Sequence, residues 1–112
     1  MKFDPKLTAF NRRVAMAVRD VFSDDITAEQ SITGKLCFRG PHPQDRTICT
    51  HVVVHLGDDV LAALRLAMPL QRETMIRNLV ANLATQVRAK YDPDDVGQTA
   101  LRIAATMDIL QG

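Results

Sequence analysis

Two short β-branched runs dominate the middle of the chain, Ser31-Ile32-Thr33-Gly34-Lys35-Leu36-Cys37-Phe38 and Thr47-Ile48-Cys49-Thr50-His51-Val52-Val53-Val54-His55-Leu56. Even-numbered positions carry the apolar bulk: Ile32, Leu36 and Phe38, then Ile48, Val52, Val54 and Leu56. Odd positions carry Lys35, Cys37, Cys49, His51 and His55. A period of two belongs to strands whose successive side chains point to opposite faces, so the runs are expected to form a half-buried antiparallel hairpin. Helical spacing precedes and follows them. The expected fold class is therefore α+β, in the order α-β-β-α-α-α, with one hairpin packed on helices.

At 112 residues the chain has the size of one domain, which buries roughly two-thirds of its unfolded surface without staples. Residues 1–112 are expected to form a single unit. Charged residues make up 24% and the formal charge is +1, which argues against a surface that coats nucleic acid and against an acidic tail. The opening Met1-Lys2-Phe3-Asp4-Pro5-Lys6 has no apolar signal region, and no run approaches the roughly 20 residues a membrane span needs. A soluble, cytoplasmic protein with no membrane partner is the expectation, and its two cysteines are then free thiols.

Helix boundaries follow from punctuation. Asp4-Pro5 offers a cap followed by proline at the first helical position, and Leu7, Phe10, Val14, Val18, Val21 and Phe22 repeat at helical spacing, predicting a helix from about Pro5 to Phe22. Ile26 to Gln30 reads either as a turn or as the start of the first strand. Gly57-Asp58-Asp59 introduces a helix through Val60 to Met68, expected to be the most buried because only Arg65 interrupts it. Pro69 either kinks that helix or begins the next. Met75, Ile76, Leu79, Val80, Leu83, Val87 and Tyr91 make one stripe on a third helix. Asp92-Pro93 repeats the start signal, and Val96, Ala100, Ile103, Met107 and Leu110 then suggest a C-terminal helix able to pack on its own domain or on a second subunit. A two-stranded sheet has two open edges, so a homodimer with a shared four-stranded sheet is expected.

The chemistry is sparse. Parity pairs Phe38 with Ile48 and Cys37 with Cys49, allowing a cross-strand disulfide or a metal held with His51, while neighbouring registers set Cys37 against Thr47 or His51. His55 would lie roughly 13 Å from His51 at strand rise, and the spacings contain neither Cys-x-x-Cys nor His-Glu-x-x-His, so no metal is assigned. Cys49 and His51 lack an orienting acid and an oxyanion turn, and Asp24-Asp25, Asp58-Asp59 and Asp94-Asp95 sit where helices begin or end, as caps do. No phosphate-binding glycine motif occurs. No catalytic residue and no cofactor is assigned, and an enzyme is not favoured. The hairpin loop Arg39 to Arg46 is the best local contact site: Arg39, His42 and Arg46 can converge on an anion with Lys35 behind them, and His51 and His55 complete the candidate set.

The favoured function is thus a small bacterial-type protein-interaction module that oligomerises, without enzymatic activity. The alternative is an RNA-binding or ribosome-associated factor. The helix, hairpin, helix order bears a topological analogy to small KH-like domains, with Arg12, Arg13, Lys35, Arg39 and Arg46 on phosphates. The low charge, the missing Gly-x-x-Gly and an aromatic share of 4% weigh against it.

Overall fold

A computed structural model describes residues 1–98, 100–105 and 107. Five strands and three helices follow in the order β1 (Lys2–Phe3), α1 (Ala9–Ala17), β2 (Thr27–Gln30), β3 (Leu36–Pro41), β4 (Cys49–Leu56), α2 (Asp58–Leu66), α3 (Pro69–Lys90) and β5 (Ala100–Ala105). The strands form one mixed sheet in sequence order. β1 and β2 are parallel, as are β4 and β5, and the β2-β3-β4 meander between them is antiparallel. Both helical crossovers join strands that point the same way and step in the same direction, so a common crossover hand lays both on one face of the sheet. α1 and α3 pack together on that face over the inward side chains of the sheet, and among the described residues the other face carries no helix.

The expected order α-β-β-α-α-α and the four-stranded dimeric sheet are therefore both wrong. β2 and β5 cover the two edges of the hairpin within a single chain, which removes the reason for pairing with a second copy. Of the residues read as a C-terminal helix, Ala100 and Ile103 lie in β5, parallel to β4 from His51↔Ala100 to Leu56↔Ala105; Leu110 lies outside the described residues. Leu101, Ile103 and Ala105 alternate with a strand period while Val96, Ala100 and Ile103 repeat at helical spacing, and the open edge of β4 decides between the two periods.

Parity survives the change of architecture. Val52 and Val54 are buried with Leu36 and Phe38, while His51, Val53 and His55 face the uncovered side and are half-buried. The register does not survive. Phe38 opposes Val52 and Cys37 opposes Val53, because pairing continues past Pro41↔Cys49 to a His42 N–H···O Ile48 bond of 2.8 Å that shortens the loop. Cys49 lies four strand positions from the level of Cys37, on the order of 13 Å, so the expected disulfide and the Cys37–Cys49–His51 cluster are both out of reach. Ser31 to Lys35 is a turn rather than strand. Gly34 takes the left-handed φ of +86° there, and Ile32, expected to face inward, is fully exposed.

The first helix starts later than Asp4-Pro5 suggests. Thr8 is the cap, its hydroxyl accepting the Asn11 N–H at 3.2 Å. The buried Asn11 amide donates to Gln30 Oε1 at 2.7 Å and to the Gly34 carbonyl at 3.0 Å, tying the start of α1 to the β2–β3 turn. Asp4 to Lys6 instead form the turn that leaves β1, whose two residues are too few for a periodic signal. Pro69 begins α3, which buries Met75, Leu79, Leu83 and Val87 as its stripe predicts. α2 is the opposite of the most buried helix, since Val60 is its one buried residue. Phe22 stacks on Phe38 at 4.6 Å and meets Tyr91 at 4.7 Å, joining the segment after α1, the sheet and the end of α3 in one core.

Candidate functional site

The six residues singled out by sequence divide between two places. Arg39, His51 and His55 share the odd-numbered parity of the uncovered sheet face, where Arg39 lies directly opposite His51, and Lys35 ends the turn that leads into β3. Arg39 there donates to Glu29 on the adjacent strand at 3.1 Å. His42 and Arg46 belong to the hairpin loop and turn away from each other. His42 is 1% exposed; its Nδ1 accepts the Gln44 N–H at 3.0 Å, which leaves Nε2 to donate to the Asp95 carbonyl at 3.0 Å. Arg46 donates to Asp25 at 2.6 Å. The loop is closed internally by Asp45, which accepts the Thr47 hydroxyl at 2.6 Å and its N–H at 3.0 Å, bonds that hold the Asp45 carboxyl below the usual range. Arg39, His42 and Arg46 are not gathered around one point: two are neutralised by carboxylates and the third is a buried clamp between loops.

The titratable groups on the sheet face are spread along it. Cys37 is buried although it lies on the helix-free side, and burial first, then Glu29, pushes its thiol up. Cys49 is exposed. Among the described residues no three His, Cys, Asp or Glu side chains come close enough to hold a metal ion.

A better-formed site lies in the helical layer. Between α1 and α3 runs an open groove of about 790 Å³ whose floor is Ala9, Met16, Ala17 and Val80. Its rim is Arg12, Arg13, Arg19 and Arg88, with Asp20 as the single acid among the described lining residues. Two ion pairs brace the walls. Arg13 reaches Glu73 at 3.1 Å near the start of α3. Near its end Arg88 grips both Asp20 oxygens at 3.0 Å and donates to the Ala17 carbonyl at 2.7 Å, a cation on the last turn of α1 where the helix dipole favours it. Hydrogen bonding from Arg88 is the main reason the Asp20 carboxyl is held below its ordinary range. Arg12 and Arg19 form no salt bridge among the described residues. Four guanidinium groups thus surround apolar ground, two engaged in holding the walls and two outside any ion pair among the described residues, of which Arg19 adds a weak favourable field at Asp20.

Sequence reasoning noticed Arg12 and Arg13 as phosphate contacts but missed the groove. Val80 belongs by spacing to the inward stripe of α3, whereas it is half-buried at the groove floor. The available signal was Met16, a large apolar residue on the arginine-bearing side of α1, opposite Asn11, Val14, Ala15 and Val18.

A second exposed apolar feature marks the α2–α3 corner. Leu66, Met68 and Leu70 are 86%, 72% and 88% exposed. Arg72 fixes the corner by donating to the carbonyls of Leu64 at 2.8 Å, Ala67 at 3.0 Å and Arg65 at 3.3 Å. Three bonds from one side chain make this a rigid projection.

No protein-family model matches the chain, and comparison with curated proteins and with solved structures gives no significant match. Among the described residues no helix is long and apolar enough to cross a membrane.

Proposed function

We propose that the chain is a non-enzymatic protein-interaction module whose α1–α3 groove receives a segment of a partner protein. The observation that carries this reading is the groove itself, apolar along its floor and ringed by arginines. Arginine is enriched at protein interfaces because it contributes both area and directed hydrogen bonds, and methionine adapts to the shape of what it meets. The ion pairs Arg13–Glu73 and Arg88–Asp20 hold the two walls at fixed separation, so little ordering cost falls on the free protein when it binds. A cytoplasmic setting accompanies this reading and is supported by two unpaired cysteines, which suit a reducing compartment.

RNA binding is the competing use of the same arginines. Among the described residues the groove floor contains no aromatic ring on which a base would stack, and this favours a protein partner. Affinity capture with the wild-type chain and a Met16→Glu variant distinguishes the two. A partner identified by mass spectrometry that is retained by the wild type, resists nuclease and is lost with Met16→Glu supports the proposal. Equal capture by both chains, or loss on nuclease treatment, refutes it.

A further inference from the structure

The geometry points to an acidic amphipathic helix as the occupant of the α1–α3 groove, with two carboxylates spaced two turns apart on either side of an apolar pair. This rests on the interaction-module reading and goes further by naming the chemistry of the partner segment. Arg13 and Arg88 are committed to Glu73 and Asp20. The rim charges outside any ion pair among the described residues are Arg12 and Arg19, both exposed and seven residues apart.

Arg12 lies in the first turn and a half of α1 and Arg19 two residues beyond its last residue, in the tighter turn that follows, which separates them by on the order of 10 Å at about 1.5–2 Å per residue. A helix lying alongside α1, in either direction, matches that interval with acidic residues at its first and eighth positions. Its fourth and fifth positions then fall between the two arginines. There the floor is Met16 and Val80, bounded by Ala9 and Ala17, and the alanines leave the depth that makes this a groove rather than a ridge. Apolar side chains at those two positions remove Met16 from water, where it is now 43% exposed. This is the helix-in-groove mode, in which an apolar stripe supplies the anchors and flanking charges fix register. A basic segment is opposed by Arg12 and Arg19, and the rim acid Asp20 is already held bidentately by Arg88. An unstructured acidic chain satisfies the arginines but leaves the floor wet.

A displayed library of helical peptides, randomised at the first, fourth, fifth and eighth positions, tests this without presupposing a sequence. The bait is the folded full-length chain. The expected result is at least tenfold enrichment of Asp or Glu at the first and eighth positions together with Leu, Ile, Met or Phe at the fourth and fifth. An Arg12→Glu/Arg19→Glu bait is expected to reverse the selection to Lys or Arg while keeping the apolar pair. This charge swap is a readout that misfolding does not mimic. Enrichment of the apolar pair with no charge preference, or with basic residues on the wild-type bait, overturns the acidic-helix inference but leaves the interaction reading standing. No enrichment, or the same enrichment on a Met16→Glu bait, overturns both. So does tight binding of a single-stranded RNA oligomer that the arginine substitutions abolish.

Discussion

Replacing His42 with alanine separates a structural role for this loop from a ligand-binding one. The imidazole is 1% exposed and joins the hairpin loop to the α3–β5 connection through Gln44 N–H and the Asp95 carbonyl, both at 3.0 Å. Two net hydrogen bonds contribute about 1 kcal/mol each. Truncation of a buried ring leaves a cavity of the kind that brings large-to-alanine changes to about 2–5 kcal/mol in total. A cost of about 3–4 kcal/mol follows, against a stability of roughly 6–17 kcal/mol for a chain of 112 residues. With an unfolding entropy of about 2.1 cal/mol/K per residue, the melting temperature should fall by roughly 13–17 °C. Differential scanning calorimetry of wild type, His42→Ala and Gln44→Ala checks this. The last is a control that loses just an exposed side-chain bond to Asp94 and should cost less than about 0.5 kcal/mol. A His42→Ala protein melting within about 4 °C of wild type refutes the clamp and returns His42 to the list of surface ligands.

Three further outcomes follow from the same geometry. Gly40→Ala places a Cβ 2.5 Å from the Asp25 carbonyl and 3.1 Å from Ile26 Cα; since backbone must move, it should destabilise by about 2–3 kcal/mol, read as a shift in urea midpoint with unchanged slope. Cys49, exposed, should be alkylated rapidly in the native protein while Cys37, buried and with its thiol pushed up, is modified only in denaturant; mass spectrometry of tryptic peptides shows which reacts, and equal rates contradict the burial. Asp20 has a lower pKa folded than unfolded because Arg88 bonds its charged form, so the pair stabilises the protein at neutral pH and that contribution disappears as pH falls through the carboxylate range below about 4; Asp20→Asn should lose less stability than wild type between about pH 6 and pH 2.5, and parallel curves would show that the pair contributes nothing.

The sequence disclosed faces more readily than neighbours. Val52 and Val54 against His51 and His55 marked which side of the sheet meets the helices, because side-chain alternation is a local property of extended backbone. Which strand lies beside which is not local. β5 reads as helix in isolation through Ala100 and Ile103, and it is the bare edge of β4 that recruits it as strand. The register slipped for a related reason: Pro41 looked like loop, yet a proline at the end of a strand forfeits one donor and still permits His42 N–H to bond Ile48. α2 misled through composition. Leu61, Leu66 and neighbouring apolar residues suggested burial, but α1 and α3 take the central packing positions and α2 reaches the core through Val60, with Ala63 and Leu64 only partly buried against it. The groove is not legible from local pattern because it depends on α1 and α3 lying side by side, with Met16 and Val80 lining it from positions 64 residues apart in the chain.

The parallel pairing of β5 with β4 has a kinetic corollary. From Leu56 to Ala100 the polypeptide must travel through both remaining helices before the last strand can find its place, whereas β2, β3 and β4 are joined by short turns and can associate early. Closing so long a loop loses chain entropy before any ladder bond compensates. Assembly should therefore be sequential: the meander and α1 first, α3 docking next, and the terminal strand last, so that substitutions at Ile103 accelerate unfolding while leaving the refolding rate nearly untouched.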